Sequence, residues 1–70
     1  MRTVSIDRIM NAIKRNGMSL VFLTGTDAVS VSKHVGNSSI ATSRIVGVYT
    51  DECPESWVID DLIHCGCTLT

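Results

Sequence analysis

The sequence predicts an α+β fold, a small sheet of three to four strands with two helices packed on it, in the order α-β-β-β-α-β. Three observations lead there. Apolar residues recur at helical spacing in one stretch near each end of the chain, two β-rich runs flank a glycine turn between them, and a glycine stands where each helix has to stop. Helices grouped around a sheet of local hairpins form an α+β sandwich rather than a wound parallel sheet.

The first helix is set by Ile6, Ile9, Met10 and Ile13, with Asp7, Arg8, Asn11, Lys14 and Arg15 on the other side. Ser5 is its N-cap and Asn16-Gly17 its terminator. Met18–Thr24 follows as a nearly continuous apolar run, which is the pattern of a central strand buried on both faces. Gly25, Thr26 and Asp27 turn the chain into Ala28–Lys33, whose alternation of apolar and small polar residues gives a half-exposed hairpin partner. A small-residue loop, Gly36, Asn37, Ser38 and Ser39, leads to residues 40–50, of which the second half is rich in β-formers. Gly47 inside that run marks a bulge or a close approach of backbone. Pro54 pre-sets the first turn of a second helix over 54–65, with Val58, Ile59, Leu62 and Ile63 as its buried stripe and Glu55, Asp60 and Asp61 in water. Gly66 ends it, and 67–70 form a last short strand whose edge is open to a neighbour. An echo of helix, glycine and strand at an offset of 49 residues follows from this architecture and is no sign of duplication.

At 70 residues the chain is a single domain, 1–70, with a core that only just offsets the entropy of ordering it. Hydrophobic residues make up 44% against 19% charged, so some apolar surface is expected to meet a second copy or a partner. The longest apolar run, 18–23, is strand length, which excludes a membrane-spanning helix. Residues 1–7 lack the apolar stretch of a signal peptide, and three cysteines cannot all pair within one chain, so a cytoplasmic protein with reduced thiols is expected. A net charge of -1 argues against general nucleic-acid binding, and three aromatic residues are too few to stack a single strand. The distribution of charge says more than its sum. All six cations (Arg2, Arg8, Lys14, Arg15, Lys33, Arg44) precede residue 45, whereas Asp51, Glu52, Glu55, Asp60 and Asp61 follow it with no Lys or Arg among them.

Four constellations could carry chemistry. Cys53, His64, Cys65 and Cys67 are zinc-ligand types, but the spacing departs from paired C-x2-4-C, and Cys-Gly-Cys is not the Cys-x-x-Cys of dithiol catalysts; small core residues explain them as well. Thr24, Gly25 and Thr26, together with Asn37, Ser38 and Ser39, could point amides and hydroxyls at an anion, with Lys33, His34 and Arg44 balancing its charge; ordinary turn chemistry is the alternative. His34 or His64 with Ser38, Ser39 or Cys65 and a carboxylate would be a nucleophilic set, yet nothing fixes their geometry. Trp57 beside Asp60 and Asp61 would anchor a basic partner if exposed and serve the core if buried.

These readings converge on a non-enzymatic, homo-oligomeric binding protein without a cofactor, which acts by occupying or sequestering a partner in the manner of regulators and inhibitors, including those of phages and other mobile elements. The partner is a protein at Trp57, Asp60 and Asp61, or a small anion such as a nucleotide at the polar loops between subunits. A small Cys/His metal-binding protein is the remaining alternative.

Overall fold

The computed structural model describes residues 2–35 and 42–70, and it has the predicted α+β order preceded by one extra strand. The elements are β1 (Thr3–Val4), α1 (Ile6–Asn16), β2 (Met18–Thr24), β3 (Ala28–Lys33), a 3-10 turn (Thr42–Arg44), β4 (Ile45–Thr50), α2 (Glu55–His64) and β5 (Thr68–Leu69). Three antiparallel strands form the main sheet in the order β3-β2-β4, so β2 is central. A second, parallel pair joins β1 to β5, closed by Thr68 N–H donating to Arg2 O (2.7 Å) and Thr70 N–H to Val4 O (2.9 Å). The chain's last strand therefore pairs with its first rather than extending the main sheet.

Local chemistry explains the boundaries. The Ser5 hydroxyl accepts from the Arg8 N–H, Asp7 occupies the first turn and Lys14 and Arg15 the last, all of which suit the helix dipole of α1. Gly17 takes φ +82°, a conformation that costs other residues dearly, and its N–H returns to Ile13 O (3.0 Å). At the other helix Cys65, Gly66 and Cys67 form a Schellman motif: Gly66 N–H donates to Ile63 O (2.9 Å) and Cys67 N–H to Leu62 O (3.0 Å). This motif turns Cys67 into the core beside Leu62, and burial pushes its thiol pKa up. Pro54 sits one residue outside α2 as its N-cap, with the extended ψ of 141°, and not in the first turn.

One cluster fills the space between the helices and the sheet: Ile9 and Ile13 from α1, Val58 and Leu62 from α2, Val21 and Tyr49 from the sheet, with Val4 and Cys67 closing one end. Alternation along β2 places Ser19 and Val21 on this side and Leu20 on the other, and all three are buried, as the continuous apolar run implies. The Ser19 hydroxyl has no hydrogen-bond partner among the described residues. In α2 the expected four-residue stripe narrows to Val58 and Leu62. Ile59 is half-buried and Ile63 is 57% exposed, because the pair four residues apart points at the sheet and the flanking positions rotate away from it. The β-rich second half of 40–50 forms the strand, Ile45–Thr50, after the 3-10 turn.

Gly47 is both things the sequence suggested. The register of β4 against β2 shifts beside it, between Val21 and Phe22, and a Cβ at 47 would collide with the Tyr49 ring and hydroxyl. Two residues apart on one strand face, Tyr49 lies back across Gly47, and its hydroxyl donates to Asp61 Oδ2 of α2 at 2.6 Å. Burial first, and then the bond to Asp61, raise the Tyr49 pKa above its ordinary value of 10.0. The neutral phenol is the form the fold favours, so its contribution is whole below pH 10 and is lost as pH rises beyond it.

Tyr49→Phe is therefore expected to cost about 1–2 kcal/mol of stability at neutral pH and to abolish the alkaline decline that Tyr49 confers. Denaturant titrations of both proteins across pH check this. Because Tyr49 is the sole tyrosine, phenolate absorbance reports it alone and should appear together with unfolding.

Candidate functional site

The α2 side of the sheet carries a cleft of about 400 Å³ lined by Val48 and Tyr49 of β4, Cys53 of the β4–α2 turn, and Trp57, Asp60 and Asp61 of α2. Residues 57, 60 and 61 share one helix face by the three-and-four rule, next to the buried Val58–Leu62 pair. Their roles differ. Trp57 is 59% exposed, which decides between its two readings in favour of surface over core. Asp61 takes the Tyr49 hydroxyl and so holds α2 to β4, whereas Asp60 is exposed with no hydrogen bond or ion pair among the described residues.

Val48 and Tyr49 belong to the cleft and were not among the predicted site residues, and Cys53, which also lines it, was a candidate only as a metal ligand. The signal for Tyr49 was present in Gly47, two residues earlier on the same strand face. Val48 gave none, since a valine in a strand is core by default, yet here it is 46% exposed. Cys53 shapes the wall instead of ligating: its Sγ accepts from the Thr50 N–H (3.4 Å) and its own N–H donates to Thr50 O (3.1 Å). No group of three or more His, Cys, Asp or Glu side chains among the described residues is placed to hold a metal ion, and Cys65 and Cys67 are accounted for by the helix terminus.

Among the described residues, the proposed anion-binding groups divide between the two ends of the hairpin, with Lys33 and His34 at one end and Thr24, Gly25, Thr26 and the start of β4 after Arg44 toward the other. Thr24, Gly25 and Thr26 form the hairpin turn, where Thr24 Oγ1 donates to Ser30 Oγ (2.7 Å) and Arg2 Nη2 to Gly25 O (2.8 Å). Lys33 pairs with Ser19 at the opposite end of the hairpin, five residue steps away, or roughly 16 Å. His34 continues from it, donating its N–H to Met18 O (3.0 Å), with Nδ1 buried and without a partner among the described residues. Arg44 closes the 3-10 turn before β4. Asn37, Ser38 and Ser39 lie outside the described residues.

The chain's charge polarity becomes spatial. α1 packs mainly over β2 and β3 and α2 over β4 on the same face of the sheet, so the cations of α1 and the acids of α2 lie toward opposite edges of it. A second groove, about 390 Å³, runs between α1 and β3 and is lined by Arg8, Ala12 and Arg15 opposite Asp27, Val29 and Val31. No helix among the described residues is long and apolar enough to cross a membrane. Comparison with protein-family models, with curated proteins and with solved structures returns no match to the chain.

The acidic rim should govern which ions reach the sole tryptophan. At low ionic strength caesium is expected to quench Trp57 fluorescence more efficiently than iodide, and Asp60→Asn should narrow the difference. Equal quenching by the two ions would mean that the carboxylates do not act on the cleft.

Proposed function

We propose that this protein is a non-enzymatic binding module that engages a cationic protein partner through the cleft between β4 and α2. A single observation carries the reading: an exposed tryptophan and a carboxylate unpaired among the described residues, Trp57 and Asp60, stand in one cleft with the half-exposed Val48. Large aromatic rings at the surface anchor interfaces because they bury much area while losing little conformational freedom. A Lys or Arg from the partner gains both from the ring face and from the carboxylate. The absence of any Lys or Arg after residue 44 leaves that charge uncompensated by chain neighbours.

A second copy of the chain is the other occupant that an observation favours. The groove holding Arg8 and Arg15 is the electrostatic complement of the acidic cleft and lies at the β3 edge of the sheet, opposite the β4 edge, so contacts between copies would run head to tail. This is how a homo-oligomer would arise from these surfaces.

Trp57 is its own reporter. Titrating the protein with short lysine- and arginine-containing peptides should shift and saturate Trp57 emission, while glutamate counterparts leave it unchanged. Asp60→Lys should weaken the cationic peptides about tenfold or more. An indifferent response to peptide charge would defeat the proposal, and a shift produced by raising the protein concentration alone would point to the second copy.

A further inference from the structure

We infer that the partner's cationic segment binds in extended form, as a strand added to the outer edge of β4, with its Lys or Arg over Trp57 and against Asp60. The inference rests on the reading of the cleft above and adds the backbone to it. The hydrogen-bonding phase of β4 follows from one bond, Asp51 N–H donating to Gly17 O at 3.0 Å. Stepping back two residues at a time, Tyr49 and Gly47 bond to Ser19 and Val21 of β2, and the intervening Thr50 and Val48 turn their N–H and C=O away from the sheet. The outward groups of Thr50 are already taken, by Cys53 Sγ and Cys53 N–H. Those of Val48 have no partner among the described residues.

An unpaired donor and acceptor thus sit on the wall of the cleft that holds Trp57 and Asp60, since Val48 lines it too. An edge strand in this condition is a template for another strand, and the backbone bonds supply affinity while side-chain pockets supply choice. Asp60 and Asp61 line the cleft and no described Lys or Arg does, which makes a basic segment the complementary one. The Thr50–Cys53 turn closes one end of the edge, so the added strand extends from Val48 toward Ile45.

The experiment uses an end-capped heptapeptide, Lys-Val-Lys-Val-Lys-Val-Lys, and two analogues N-methylated on one or the other alternate set of amides, with Trp57 emission as the readout. A strand added to an edge uses one set of its amides and leaves the other in solvent. One analogue should therefore bind about tenfold more weakly than the parent and the other within about twofold of it. Val48→Pro, which takes away the outward N–H at an edge position and follows the unhindered Gly47, should erase the difference between the analogues. Parent and both analogues binding alike would overturn strand addition and leave the cationic cleft standing. No response to any cationic peptide would overturn both. Emission that shifts with protein concentration in the absence of peptide would assign the edge to a second copy and overturn the inference.

Discussion

The junction of β4 and α2 depends on a side chain that is missing. Gly47 leaves an opening on the helix-facing side of the sheet, and the Tyr49 ring fills it by lying back along its own strand. In that posture the phenol reaches Asp61, and a bond of 2.6 Å to a carboxylate fixes the distance and rotation of α2 against β4. The helix is also pinned by Val58 and Leu62 in the core and by its Schellman terminus, so little freedom remains. Trp57 and Asp60 stand where they do because Asp61, on the same face, is held.

From this constraint the surface follows. With Asp61 turned to Tyr49, the neighbouring positions of α2 overhang the outer edge of β4, and the space between becomes the cleft. The Thr50–Cys53 turn closes one end and occupies the outward backbone groups of Thr50, which leaves Val48 as the open part of the edge. The charge pattern of the chain then places Asp60 and Asp61 in that cleft and the arginines of α1 toward the other edge of the sheet. A binding reading draws on all three layers at once: fixed helix, unpaired edge, and one-signed field.

Much of the fold was legible because its signals are local. The stripe of Ile6, Ile9, Met10 and Ile13 bounded by Ser5 and Gly17, and the Met18–Thr24 run with its hairpin turn, each sit within a dozen residues and need no tertiary information. Trp57, Asp60 and Asp61 were legible as a group for the same reason. What was not legible is long-range. β1 and β5 are two residues each, too short to show a period, and each exists because the other pairs with it across the whole chain. Ile63 fits a helical stripe as well as Ile59 does, and only the placement of α2 decides which way it turns. Val48 becomes part of a site solely because β4 is the edge strand beside α2.

A double-mutant cycle of Gly47→Ala and Tyr49→Leu, measured by chemical denaturation, addresses the constraint itself. The added methyl can be accommodated only if the phenol leaves Asp61 and the ring leaves its buried seat. Gly47→Ala alone should therefore cost roughly 1–3 kcal/mol, and nearly nothing once Tyr49→Leu has removed the ring. Additive costs would contradict the account, because they would mean that Tyr49 does not occupy the space above Gly47 and that α2 is positioned by something else.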